Sequence, residues 1–325
     1  MATIKDVAKE AGVAVATVSR VLNNRGYISE DMKKKVSAAM EKLQYQPNEV
    51  ARSLYRKKSN IIGLIVPTVS HPFFGELTNY IEYYAYKNGY KILLCNSQLD
   101  RTKEKEYVDM LKRNQVDGII MGSHTLDIED YLDLNLPIVT IDRKISDKIP
   151  YVSSDNYKGG ELATNLLIES GCENLALFTG NLHLHMLSNN RHHAYEDVAN
   201  MHGVKHVTVE TDLNVFDSDK YENLIYNFLR KYSDIDGIFA NSDILAAQTI
   251  KICSKLGKKI PDDIKIVGYD DVRISSLAIP EITTIRQPVD KMSEKAIELI
   301  IKQCDNEYVT MENILPVTLV KRSTC

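Results

Sequence analysis

From about residue 59 to the C-terminus, short β-rich apolar runs alternate with amphipathic helical stretches, and this constrains the fold more than any other feature of the 325-residue chain. The runs at 61–66, 91–95, 118–121, 138–141, 174–178, 206–209, 237–240 and 264–267 are rich in Val, Ile and Leu. Strands with so little polar alternation are buried on both faces, as in a parallel sheet covered by helices above and below. Helical periodicity fits 75–87, 102–114, 156–170, 219–232, 242–256 and 291–303. Val116-Asp-Gly-Ile-Ile120 and Ile235-Asp-Gly-Ile-Phe239 each follow a helix and open a strand, about half a body apart, so two similar α/β halves are expected. Ligands of such sheets lie beyond the carboxyl ends of the strands.

Residues 1–58 are of another kind. They carry 12 basic and 6 acidic side chains, a net +6, which leaves −10 for the rest of a chain whose total is −4. A small basic module on an acidic body points to a polyanionic partner for the first and a small or uncharged one for the second. Lys33 to Lys35 also suit a solvated helix face. Thr3-Ile-Lys-Asp6 is the pattern of a capping box, after which Ile4, Val7, Ala8 and Ala11 share one helical face up to Gly12. A second helix fits 15–22 with Val18, Val21 and Leu22 inward. A third runs from its cap Ser29 to about Leu43, with Met32, Val36, Ala39 and Met40 inside. Two short helices about a glycine-centred turn make a helix-turn-helix, which most often lays its second helix in a DNA major groove. The outward positions there are Val15, Ala16, Thr17, Ser19, Arg20 and Asn23. Hydroxyls and arginine contact phosphate, arginine reads guanine at two points, and Val and Ala meet thymine methyls. A generic helical cap is the alternative.

Several classes are set aside. With 44% hydrophobic residues and 26% charged, the chain is globular in composition. Met1 to Gly12 has no hydrophobic core of a secretory signal, and no segment approaches the ~20 apolar residues of a membrane span. Five widely spaced cysteines suit a reducing cytoplasm and free thiols. His183, His185, His192 and His193 have no Cys, Asp or Glu at metal-ligand spacing, so no metal is expected. GxGxxG, GxxxxGK[ST], HExxH and GxSxG are absent, so neither a cofactor nor an enzyme is expected.

The runs Thr3-Ile-Lys-Asp-Val-Ala-Lys-Glu-Ala-Gly-Val13 and Ala16-Thr-Val-Ser-Arg-Val-Leu-Asn23 resemble the headpiece of the LacI/GalR family of transcriptional repressors. Pro47-Asn-Glu-Val-Ala-Arg-Ser-Leu54 resembles that family's hinge helix, and the resemblance continues through the C-terminus. It implies an α/β protein: an N-terminal three-helix helix-turn-helix headpiece and a two-lobed periplasmic-binding-protein-like body of doubly wound parallel sheets. It also implies DNA contacts from Thr3, Tyr27, Asn48, Ala51 and Leu54 beside the outward positions of the second helix. A helix as short as the hinge is unstable alone and would order on DNA against its twin, with Leu54 wedged into the minor groove at a cost of a few kcal/mol. Leu54 also suits an ordinary linker. One departure is Ala14, where the family usually carries a capping serine; its loss costs ~1 kcal/mol.

In the body, the residues just after strand ends are Ser70-His-Pro-Phe-Phe74, Asp142-Arg143, a loop reaching Arg191, Ser242-Asp243, Asp270-Asp271 and Gln287. Two carboxylates, two guanidinium groups and aromatic faces suit a neutral polyhydroxylated ligand. Bland roles fit as well: Phe73 and Phe74 as helix-start core, Asp142 paired with Arg143, Asp270 or Asp271 as helix caps, Asp243 as a charge on a helix N-terminus. Within the family the pattern looks most like the ribose operon repressors and ribose-binding proteins. That likeness implies an effector site of Phe73, Phe74, Asp142, Arg143, Arg191, Asp270 and Gln287, with Phe216 as a further wall. His71 and Ser242 stand where ribose binders commonly have Asn.

The expected organisation is a headpiece at 1–46, a hinge and linker at 47–59 and a body at 60–325. The N-lobe would take about 60–155 and 288–316, and the C-lobe about 156–287 and 317–325, with crossings near Asp155, Gln287 and Pro316. The expected function is that of a cytoplasmic repressor of a carbohydrate operon, ribose first, that binds double-stranded palindromic operator DNA and leaves it when sugar fills the cleft. Only five residues follow Val320, without a heptad extension, so a homodimer is expected, with no membrane partner. The alternatives are another sugar, a co-repressor, or a sugar-binding protein with no regulatory duty.

Overall fold

The computed structural model describes residues 2–23, 25–46, 58–123, 125, 136–183, 186–211 and 218–325, the last without the side chains of 218–220. Two compact units emerge, Met1–Asn60 and Ile61–Cys325.

In the first unit, α1 (Ile4–Ala11), α2 (Val15–Asn23) and α3 (Glu30–Lys42) close on Val7, Ala8, Val18, Val36 and Ala39. The capping box is formed: the Thr3 amide donates to Asp6 Oδ2 at 2.8 Å and the Asp6 amide donates to Thr3 Oγ1 at 3.4 Å. Gly12 ends α1 at φ 67°, the left-handed conformation that a Cβ disfavours. Ala14 offers its carbonyl to the amides of Thr17 and Val18 at 2.8 and 3.2 Å, but its methyl offers no further acceptor. Ala14→Ser is therefore expected to add ~1 kcal/mol to headpiece stability. Chemical denaturation of this unit would show the gain, and an unchanged midpoint would deny α2 an end that a side chain can cap.

The second unit holds two six-stranded sheets. The first has the order β11-β5-β4-β3-β1-β2, all parallel, from β1 (Ile61–Val66), β2 (Lys91–Asn96), β3 (Gly118–Met121), β4 (Ile138–Ile141), β5 (Tyr151–Ser154) and β11 (Glu312–Leu315). The second, of order β12-β10-β9-β8-β6-β7, contains β6 (Asn174–Thr179), β7 (Lys205–Glu210), β8 (Gly237–Ala240), β9 (Lys265–Asp270), β10 (Thr283–Arg286) and β12 (Thr318–Val320), the last antiparallel. Buried apolar clusters lie on both faces of each sheet, so both are doubly wound as expected. The first lobe is covered by α4 (Pro72–Lys87), α5 (Arg101–Arg113) and α10 (Val289–Cys304). The second is covered by α6 (Asn156–Glu169), α7 (Asn190–His202), α8 (Ser218–Lys231) and α9 (Asp243–Lys255). The chain changes lobe between Ser154 and Asn156, between Arg286 and Val289, and between Leu315 and Thr318. The two Asp-Gly repeats open β3 and β8, which hold equivalent places in the two sheets.

Sequence periodicity leaves out β5, β10, β11, β12 and α7. β5 and β10 read Tyr-Val-Ser-Ser and Thr-Thr-Ile-Arg, too polar for a buried-strand pattern, and β11 and β12 are short edges with exposed positions. On α7 the buried face is Arg191, Ala194, Tyr195, Val198 and Ala199. Its spacing is helical, but one member is a guanidinium and two are alanines, so hydropathy does not mark it. Among the described residues no helix is long and apolar enough to cross a membrane.

Candidate functional site

The strand carboxyl ends of both lobes face a cleft with a cavity of about 250 Å³. From the first lobe it is lined by His71, Phe73, Phe74, Gly122, Ile141 and Asp142, and from the second by Gly180, Met186, Ser188, Arg191, Tyr221, Asn241, Ser242, Leu245 and Asp270, with Gln287 at the second crossing. Pro72 occupies the first turn of α4, where its missing N–H costs nothing, and this starts the helix three residues before the expected Gly75. Phe73 turns into the first lobe's core at 6% exposure, while Phe74 meets it edge to face at 5.2 Å and forms the wall. His71 is the N-cap residue of α4 but its side chain does not bond the helix's first amides, and burial pushes its imidazole down to about 4, so it is neutral at ordinary pH.

Asp142, directly after β4, and Asp270, the last residue of β9, stand at φ 57° and 106°, a conformation that costs a non-glycine residue ~1–3 kcal/mol and that aspartate tolerates better than most. Asp142 Oδ1 accepts from Ser153 Oγ at 2.5 Å and from Asn156 Nδ2 at 3.1 Å. Arg191 is 5% exposed and thoroughly engaged. Its Nε donates to Asn156 Oδ1 at 2.6 Å, Nη1 donates to Asn241 O and Oδ1 at 3.1 Å each, and the guanidinium lies 3.6 Å from the centre of the Tyr269 ring. Nη2 faces Asp142 Oδ2 across 3.9 Å.

Asp270 Oδ1 accepts from Gln287 Nε2 at 2.7 Å, and Gln287 Oε1 accepts from Ser154 Oγ at 2.6 Å. Burial outweighs the pull of Arg191 and the Gln287 bond, and the Asp270 carboxyl is pushed up to about 7. Between that value and the ~4 of an unfolded aspartate, the folded chain keeps a proton that the unfolded chain has lost. Asp270 therefore adds stability as pH falls from neutrality and removes it as pH rises through about 7. Asp270→Asn is expected to flatten this part of the pH–Tm curve relative to wild type; parallel curves would contradict the burial argument.

One expectation needs correction. Arg143 is not among the residues that line the cavity, whereas Asp142 is, and the Arg143 carbonyl accepts from Thr140 Oγ1 at 2.5 Å. The cavity thus has one guanidinium rather than two among the described residues. Phe216 lies outside the described residues. Asp243 is fully buried behind the lining, where it accepts from the Val272 amide at 2.9 Å and Thr284 Oγ1 at 2.6 Å, and burial beside Asp270 raises its carboxyl well above the usual range. Asp271 holds Arg286, Arg322 and Ser275. Asn156, Asn241, Met186, Ser188 and Tyr221 carry no mark in the sequence pattern that singled out the others. Asn241 had a usable signal, since it directly follows β8, next to Ser242.

On the first unit, α2 presents Val15, Ala16 and Arg20 to solvent, with Thr17 and Ser19 half-buried. Tyr27 is 99% exposed, and Thr3 is exposed beside its cap bonds. Asn23 departs from the outward set, because its Nδ2 donates back to Ser19 O at 2.9 Å. Asn48, Ala51 and Leu54 lie outside the described residues.

Residues 3–48 match the model of bacterial regulatory proteins of the lacI family, and residues 164–325 match a periplasmic binding protein-like domain. The ribose operon repressor of Halalkalibacterium halodurans is 39% identical over 325 residues, covering 100% of this chain and 97% of that protein. The chain belongs to the lacI family. The sucrose operon repressor of Pediococcus pentosaceus is 41% identical over 99% of this lacI-family chain and 98% of its own. Among solved structures, the lac repressor dimer bound to operator and the anti-inducer ONPF has TM-score 0.87 at 26% identity, over 99% of this chain and 98% of that one. A periplasmic binding protein/LacI regulator from Alkaliphilus metalliredigens complexed with D-xylulofuranose has TM-score 0.75 at 33% identity, over 82% and 98%. In this lacI-family chain the cleft and the α2 surface are thus the two sites to read for function.

Proposed function

We propose that the chain is a cytoplasmic, homodimeric repressor of a carbohydrate operon, which grips a pseudo-palindromic operator through α2 and the 47–59 hinge and releases it when a small neutral sugar, ribose first, fills the cleft. The observation that carries the reading is the cavity itself. About 250 Å³ is below the ~300–1,000 Å³ typical of drug-sized ligands, and it suits one sugar ring better than two. Asp142 and Asp270 accept from paired hydroxyls, Phe74 covers C–H surface, and the 3.9 Å gap between Arg191 Nη2 and Asp142 Oδ2 suits a hydroxyl that accepts from one and donates to the other. A phosphorylated sugar would bring charge to a site with two carboxylates and an arginine already engaged by Asn156, Asn241 and Tyr269. The furanose held by the Alkaliphilus relative and the ribose named for the Halalkalibacterium relative support a five-carbon ligand. The second reading is a sucrose-derived effector, favoured by the Pediococcus relative.

Closure on sugar would turn the lobes and part the two hinges of a dimer. A ligand moves such an equilibrium only by its differential affinity, typically ~1–3 kcal/mol. Apolar Leu277 and Ile279, 66% and 92% exposed beside Ala247, Ile250 and Ile274, are the face assigned to the second copy. Twofold pairing is what a palindromic operator requires, and the lac repressor neighbour is a dimer. Calorimetric titration of the full chain with ribose, xylulose, fructose and sucrose tests the reading. Heat with a pentose alone supports it, while heat only with sucrose or fructose transfers the assignment to the second reading.

A further inference from the structure

The bonds behind the cleft converge on one side chain that no sequence pattern marks. Asn156 is the first residue of α6, immediately after the first lobe crossing, and is 3% exposed. Its Nδ2 donates toward Asp142 Oδ1 at 3.1 Å, Ser153 Oγ at 3.0 Å and Ser154 O at 3.1 Å, all belonging to the first lobe or its exit strand. Its Oδ1 accepts from Arg191 Nε of the second lobe at 2.6 Å. The amide's orientation is dictated by its partners, since a guanidinium can only donate and an ionised carboxylate can only accept. One planar group therefore ties a cleft residue of each lobe to the strand from which the chain crosses between the lobes.

The surroundings leave this group little slack. A Cβ on Gly160 would stand 2.5 Å from the Arg191 carbonyl oxygen, so α6 and the start of α7 are in backbone contact and Arg191 is braced from behind. Across the cleft, the Leu187 amide of the second lobe donates to the Asp142 carbonyl at 3.0 Å. Displacement of either Asp142 or Arg191 thus alters a bond at the crossing instead of dissipating in a loose side chain.

We infer that Asn156 is the positioning residue that couples occupancy of the cleft to lobe movement, by holding Asp142 and Arg191 in one hydrogen-bonded frame at the pivot. The inference rests on the reading of the cleft as a sugar site. Sugar that bridges Asp142 and Arg191 completes the frame in the closed arrangement, and without the amide the two side chains bind sugar as separate groups with no common link to the crossing.

Two variants of the full chain test this. Asn156→Ala removes the bonds of Nδ2 and of Oδ1 alike. Asn156→Asp keeps an acceptor for Arg191 but sets a second negative charge against Asp142. Operator affinity is measured with and without saturating ribose, sugar affinity by calorimetry, and folding by Tm. For both variants the sugar-free operator affinity is expected to stay within about threefold of wild type. The ratio of operator affinities without and with sugar should collapse from the wild-type value, about 5–150-fold for typical coupling, to below about twofold. That collapse should persist at sugar concentrations raised to offset weaker binding, which a merely structural loss would not produce. A wild-type ratio in either folded variant overturns the role of Asn156 while leaving the sugar site standing. If Asn156→Ala alone fails to fold, Asn156→Asp decides: a collapsed ratio supports the role and a wild-type ratio overturns it. Unfolding of both variants overturns the positioning role in favour of a structural one. A wild-type chain that ignores every sugar overturns the reading of the cleft and this inference with it.

Discussion

Arg191→Ala is expected to yield a protein that holds operator DNA as the wild type does and no longer lets go when sugar is added. Each hydrogen bond from a charged donor is worth ~1.5–3 kcal/mol. Loss of two from Arg191 to sugar hydroxyls would weaken binding by about 10²–10⁴-fold at 1.4 kcal/mol per decade. The truncation also strips Asn156 and Asn241 of their donor and leaves Asp142 and Asp270 without the nearest cation. Arg191→Lys should not restore affinity, because an ammonium cannot lie flat 3.6 Å over the Tyr269 ring while bonding at Nε and Nη1 positions together. Calorimetry with ribose and operator titrations with and without sugar provide the check. Sugar release of operator by Arg191→Ala at wild-type concentrations would remove Arg191 from the site.

Ile279→Glu is expected to convert the dimer into a monomer with an intact sugar cleft. Ile279 is 92% exposed and Leu277 66%, on a surface shared with Ala247, Ile250 and Ile274, an arrangement that leaves apolar area in water unless another surface covers it. A carboxylate on this surface, which Lys251, Lys255 and Arg273 also line, must be desolvated on association and occurs twice in a twofold interface, which costs several kcal/mol. Tethering of two headpieces supplies an effective concentration worth about 10²–10⁴-fold in affinity, and that factor should disappear from operator binding. Sedimentation would report the mass, and calorimetry an unchanged sugar affinity. A variant that still sediments as a dimer would move the interface elsewhere.

The alternation of buried strands and amphipathic helices made the two-lobed body legible, because strands such as Ile61–Val66 are covered on both faces and must be apolar throughout. Phe74, Asp142 and Asp270 were findable for a related reason: a parallel sheet delivers whatever follows a strand end to the cleft. Arg143 shows the limit of that rule, since position beyond a strand does not say which of two successive side chains faces in. Asn156 was obscure for the opposite reason. It opens a second-lobe helix after a polar strand, and its importance lies in its bonds to Asp142 and Arg191 rather than in local pattern. The capping box at Thr3 and Asp6 was plain, because it is satisfied within four consecutive residues.

The most direct measurement is the affinity of the full chain for an inverted-repeat operator fragment across a salt series, with and without saturating ribose. The expected result is binding whose logarithm falls linearly with log salt, with a slope reflecting about six to ten phosphate contacts, and a uniform drop of about 5–150-fold when sugar is present. Binding that is indifferent to every sugar, or no salt-sensitive binding to any inverted repeat, would contradict a sugar-released repressor.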